Sequence, residues 1–136
     1  MKYFEKALCR KDQPTEEAKR LGFRLGKIGN WDVQFERYDG YKNVDISIPS
    51  AKVDIEVDGL QHTITKKQAL ADIKRTYHSY KNGFVTLHVP NVLVQDDATT
   101  EETARCINDF LEENRKDVRD SDDNWFKRFV KGFING

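Results

Sequence analysis

The sequence predicts an α/β domain, a mixed sheet flanked by helices, and three observations lead there. The runs 31-WDVQFERY-38, 43-NVDISIP-49 and 52-KVDIEVDG-59 alternate apolar and polar residues at strand period and are separated by turn residues. A segment of helical period, 65-TKKQALADIKRTYHSYKNG-83, follows the third run, and a short β run, 84-FVTLHV-89, follows that. A strand-helix-strand crossover makes its two strands parallel, so the expected order is α-β-β-β-α-β with two further helices behind it.

Each element has its own signals. In 14-PTEEAKRLGFRLGKIG-29, Pro14 is placed in the first turn, and Ala18, Leu21, Leu25 and Ile28 recur at three-four spacing as one buried stripe. Trp31, Val33 and Phe35 alternate against Asp32, Gln34 and Glu36, and Asp39-Gly40 then turns the chain. Val44, Ile46 and Ile48 share one strand face, as do Val53, Ile55 and Val57 after the Pro49-Ser50 break. Thr65 and Gln68 form a capping box for the next helix, whose expected inward stripe is Leu70, Ile73, Tyr77 and Tyr80, with Asn82-Gly83 as its left-handed stop. The run 84–89 is expected to be a buried strand. Thr99 with Glu102 predicts a helix over roughly 100–117 that turns Ala104, Ile107, Phe110 and Leu111 inward. In the tail, Trp125, Phe129 and Phe133 beside Phe126, Val130 and Ile134 predict a last amphipathic helix.

The 136 residues suit one domain over 1–136, with a core at about 14–91 and a helical extension at about 99–136. No apolar run approaches the roughly 18 residues of a membrane span, and the first residues lack the apolar stretch of a secretion signal. Only two cysteines, Cys9 and Cys106, occur, which argues for a reducing cytoplasm and against a disulfide framework or a Cys-rich zinc site. Zero net charge conceals segregation: residues 65–94 carry five basic and one acidic side chain, and 95–124 carry four and eleven. Basic helices therefore flank an acidic strand region, while the strongly acidic segment is a poor match for a phosphate backbone.

The chemistry concentrates in 53-VDIEVDGLQH-62. Strand alternation gives Asp54, Glu56 and Asp58 one face and, on the preceding strand, gives Asp45 and Ser47 theirs. Pairing the strands as a hairpin gathers the acids, and like charges so close call for compensation, which a hard divalent cation provides. The other reading of the same alternation is the water-facing side of an antiparallel sheet. Glu17 borders the buried stripe of the first helix; it either joins the acids or complements the helix dipole. His62 lies just beyond the acids, where it can exchange a proton near neutral pH. Gln61 can hydrogen-bond a phosphate, and Asp72 and Arg75, one turn apart, are an intrahelical pair or a second layer of the site.

With Asp45 upstream, Asp72 and Arg75 downstream and 83-GFVTLHVPN-91 following, this string resembles small endonuclease-like proteins related to the very short patch repair endonucleases. These are similar to the PD-(D/E)XK, or restriction-endonuclease-like, superfamily, and the resemblance covers residues 14–91. It implies a restriction-endonuclease-like core and a Mg2+- or Mn2+-dependent DNA endonuclease, with Asp45 and Glu56 as metal ligands, the Val57 carbonyl beside them, and Glu17 or Asp58 assisting. Asp58 stands where the superfamily places its lysine, and Val44-Asp45 stands for Pro-Asp; members of this branch also lack the lysine and use histidine, a role His62 matches. Lys19, Arg20, Lys66, Lys67 and Lys74 are the implied phosphate contacts. A prokaryotic, phage or mobile-element setting and a homodimer or separately supplied recognition domain accompany this reading. The alternative is a DNA-binding or assembly module that kept the fold and lost the chemistry.

Overall fold

The computed structural model describes residues 13–59 and 65–135, with side chains as far as Val118. Helix α1 (Glu16–Gly29) starts at Thr15, whose hydroxyl accepts the Ala18 amide at 3.2 Å, so Pro14 precedes the cap instead of lying in the first turn. Ala18, Leu21 and Leu25 are fully buried, as their spacing predicts, and Asn30 ends the helix in a left-handed conformation, φ 54°.

Four strands follow the predicted topology: β1 (Gln34–Tyr38), β2 (Asn43–Ile48), β3 (Val53–Asp58) and β4 (Val85–Pro90) lie in the order β1-β2-β3-β4. The first three are antiparallel and β4 runs parallel to β3. β1 begins at Gln34 and not Trp31, because the indole turns away to donate Nε1 to Asn108 Oδ1 at 2.8 Å, with the Arg115 guanidinium 4.6 Å from its ring. The β1-β2 turn is an Asx turn in which Asp39 Oδ1 accepts the amides of Tyr41 and Lys42 at 2.7 and 2.8 Å, while Gly40 supplies φ 95°.

Helix α2 (Lys66–Lys81) carries the predicted capping box, and Gly83, φ 82°, turns the chain into β4. Its apolar stripe is inverted relative to the expectation. Leu70, Ile73, Tyr77 and Tyr80 are exposed, and the residues turned to the sheet are Gln68, Asp72, Arg75, Thr76 and Ser79. The cause lies beneath the helix, where the sheet presents Ser47, Asp54 and Glu56, groups that need hydrogen-bonding partners and not leucine. β4 is an edge strand among those described, so only Val89 is buried and Val85 is exposed, where the sequence suggested a buried strand.

A 3-10 turn (Asn91–Val94) leads into α3 (Asp97–Asn135), one continuous helix of 39 residues in place of the two expected. Asp96, not Thr99, caps it, accepting the Thr99 amide at 2.8 Å. Phe110, expected inside, is also partly exposed. The apolar sheet face (Ile46, Ile48, Val53, Ile55, Val89) packs under α1 and the first half of α3 through Ala104, Ile107 and Leu111, whereas Val44, expected on the same face, borders a small cavity with Asp54, Glu56 and Arg75. The polar face lies under α2, completing an open four-stranded mixed sheet flanked by helices. No helix among the described residues is long and apolar enough to cross a membrane.

Gly22 marks the closest approach of α1 to β1: a Cβ there would meet the Phe35 ring and Val33. Gly22→Ala should therefore lower stability by about 1–3 kcal/mol despite the better helix propensity of alanine, measured by urea denaturation; an unchanged or raised midpoint would show that Phe35 can yield.

Candidate active site

The β2-β3 register, with Ser47 opposite Asp54, continues to bring Asp45 opposite Glu56. Asp45 is held by its own sheet: Oδ2 accepts the Val57 amide at 2.9 Å. Glu56 is buried, and Lys42 Nζ reaches its Oε1 at 2.9 Å. Lys42 arrives there through the Asx turn, which α2 in turn steadies, since His78 Nε2 lies 3.1 Å from the Asp39 carbonyl. Burial pushes the Glu56 carboxyl up to about 7; the Lys42 ammonium works against this and the Asp45 charge adds to it.

Of the two readings that alternation leaves open for Asp54, water-facing or structural, the structure has the second. Asp54 is 1% exposed, accepts the Ser47 hydroxyl at 2.7 Å and lies 4.0 Å from Arg37 Nη2. Burial raises its pKa, with Ser47 and then Arg37 working in the opposite direction. Arg37 reaches this face because Glu36, φ 51°, breaks the alternation of β1; its Nε donates to Ser47 Oγ at 3.0 Å and its guanidinium sits 4.7 Å from the Phe84 ring.

At the mouth of this face lies a cleft of about 430 Å³ lined by Lys42 from the β1-β2 turn, Asp45, Glu56, Val57 and Asp58 from the strands and Gln68, Asp72 and Arg75 from α2. Parallel pairing sets His88 level with Glu56, and its Nδ1 stands 3.3 Å from Asp58 Oδ2. Arg75 Nη2 holds Asp72 Oδ1 at 2.9 Å on the opposite wall. Asp45, Glu56, Val57, Asp58, Asp72 and Arg75 are thus brought together. Glu17 is not: α1 packs on the other sheet face, and Glu17 does not line the cleft. Lys19 sits 3.4 Å from Glu16, and Arg20 donates to the carbonyls of Val94 and Gln95 at 2.5 and 3.2 Å, a structural tie on the same far side. Lys66, Lys67 and Lys74 are exposed on α2. Gln61 and His62 lie outside the described residues.

Two cleft residues escaped the reading of the sequence. His88 was within reach of it, because parallel pairing of 53–58 with 85–90 combined with alternation puts His88 on the acid face. Lys42 was not, since its direction is set by the turn and not by strand period. Among the described residues no group of three or more His, Cys, Asp or Glu side chains is arranged to hold a metal. No protein-family model, curated protein or solved structure matches the chain.

A carboxyl near 7 in the fold and near 4.5 in the unfolded chain binds more protons folded than unfolded between those values. Without added metal, the contribution of Glu56 is therefore fully present below about pH 4.5 and is lost as pH rises to 7. Glu56→Gln should remove that slope and gain on the order of 2 kcal/mol over wild type between the two ends of the interval. Denaturation curves for both proteins across it test this; parallel pH profiles would refute it.

Proposed function

We propose that this chain is a Mg2+- or Mn2+-dependent DNA endonuclease with a restriction-endonuclease-like core. The observation that carries the reading is the trio Asp45, Glu56 and Lys42: two carboxylates facing each other across a hairpin, one ion-paired to a lysine at 2.9 Å. The α-β-β-β-α-β order over 16–90 supports the fold. The acid pair fits a hard cation chemically, because burial has driven Glu56 toward the protonated form and a dication would restore its charge.

Asp45, Glu56 and the Val57 carbonyl would hold the cation, which supplies positive charge to the scissile phosphate and acidifies water. Lys42 partly offsets the burial of Glu56 and places a positive group at the cleft mouth where a phosphate oxygen would develop charge. His88, beside Asp58, is placed to carry a proton, the role that the resemblance gives to His62. Arg75, braced by Asp72, directs a second cationic group into the cleft, and Lys66, Lys67 and Lys74 give α2 a basic outer surface for backbone phosphates.

A second reading has a specific support. The Lys42–Glu56 pair already balances one carboxylate without metal, as expected of a DNA-binding module of the same fold that does not cut. Supercoiled, linear and single-stranded DNA incubated with each cation separates the two. The nuclease reading expects Mg2+- or Mn2+-dependent nicking, reduced at least ~10³-fold in Asp45→Ala and Glu56→Ala and ~10²-fold in Lys42→Ala. His88→Ala and His62→Ala, compared across pH, identify the proton carrier by which of them loses ~10²-fold. Full cutting by both acid variants would overturn the site. Salt-sensitive binding with no cutting by wild type under either cation would establish the module instead.

A further inference from the structure

The inverted stripe of α2 gives that helix an outer face of mixed chemistry. At about 100° per residue, Lys66, Lys67, Lys74 and Lys81 fall in the same arc of about 140° as Tyr77 and Tyr80. The two rings are 62% and 73% exposed, and Leu70 and Ile73 extend the apolar strip among the lysines. Asp72, the one acid of the helix, is turned to the cleft, so this face carries no negative charge from its own helix. We propose that the outer face of α2 is a stacking platform for single-stranded DNA, the rings taking unpaired bases and the lysines the phosphates beside them. The proposal rests on the DNA reading of the cleft and names the form of DNA that the cleft would receive.

Charge and ring chemistry together favour this occupant. A duplex offers α2 only phosphates, because its bases already stack on one another, and would leave both tyrosine rings in water; a single strand uses the rings as well as the charge. Lys81 Nζ stands 5.3 Å from the centre of the Tyr77 ring, so a base lying on that ring has an ammonium next to it for its phosphate. The platform also joins the cleft. Ile73, Thr76, Tyr77 and Tyr80 line an open depression that ends at Asp72, and Asp72 is at the same time a wall of the cleft. From Asp72 to Tyr80 the helix rises about 12 Å, so a strand laid along the rings is led to the cleft wall, where Arg75 stands.

Binding measured without metal separates the platform from the cutting. In EDTA and at about 0.15 M salt, the full chain should bind a labelled mixed-sequence single strand at least ~10-fold more tightly than the duplex of the same sequence. Tyr77→Ala/Tyr80→Ala should weaken binding of the single strand at least ~10-fold and leave the duplex unchanged, with unchanged circular dichroism; Tyr77→Phe/Tyr80→Phe should bind as wild type, because the flat rings are kept. Lys74→Ala/Lys81→Ala should weaken both forms and flatten their salt dependence. Ring-dependent binding with no cutting under Mg2+ or Mn2+ would uphold the platform and overturn the nuclease, whereas cutting indifferent to the rings would do the reverse. Equal affinity of wild type for single strand and duplex, or wild-type binding of the single strand by Tyr77→Ala/Tyr80→Ala, would overturn the proposal. So would a dimer in solution that the same substitutions dissociate, which would put a second copy on this face.

Discussion

Burying carboxylates on one face of a β-sheet is the constraint on which the rest of the structure depends. Asp54 and Glu56 both lie in β3 with almost no solvent contact, and each demands a donor that the strand alone does not provide. Ser47 and Arg37 answer Asp54; Lys42 answers Glu56; the Val57 amide answers Asp45. Three of those donors come from β1, β2 and the turn between them, so the hairpin's register and the left-handed Glu36 are tied to the acids as much as to the apolar core. Removing one partner would leave a buried charge uncompensated, a larger loss than the net worth of the pair.

The same constraint explains why α2 packs in reverse. A helix on a sheet ordinarily turns its apolar stripe inward, because burial contributes about 25 cal/mol for each Å² of apolar surface. Under α2, however, an inward Leu70 or Tyr77 would strip solvent from carboxylates without offering a hydrogen bond. Desolvating one unpaired polar group costs a few kcal/mol, as much as burying a whole leucine gains. Polar Gln68, Asp72, Arg75 and Ser79 therefore face the sheet, and Ile73, Tyr77 and Tyr80 stay outside beside Lys74 and Lys81. This polar contact also leaves room for the cleft, which a tightly packed apolar helix would have filled.

What was legible in the sequence is what local physics decides. Strand alternation, the Thr65–Gln68 box, the Asx turn at Asp39, the left-handed Gly83 and the parallel crossover depend on neighbours a few residues apart or on chain handedness. The pairing of Asp45 with Glu56 followed from register. Orientation of α2 was not legible, because hydrophobic period reveals which residues share a face and not what that face meets. Nor was the continuity of α3: the Asp-Ser-Asp-Asp stretch at 120–123 reads as a break, yet helix persists through it. Glu17 shows the same limit from the other side, since a residue at the edge of a buried stripe can flank either surface of the sheet.

The acids of β3 therefore have different partners and different uses. Asp54 is enclosed and satisfied, so it supports the site without facing it. Lys42, from the turn between β1 and β2, stands beside Glu56, so in the proposed enzyme it would supply the positive charge that Asp58, at the lysine position of the motif that the sequence resembles, does not. Charge in the cleft then sums in a telling way. Lys42 and Arg75 offset two of the four acids Asp45, Glu56, Asp58 and Asp72, leaving a formal −2 when those groups are ionised. One dication would bring the cleft to neutrality, and only then would an incoming phosphodiester meet no opposing field. In the proposed enzyme the cation is thus needed for the substrate to approach as well as for chemistry, and Lys42 and Arg75 are what make one dication enough.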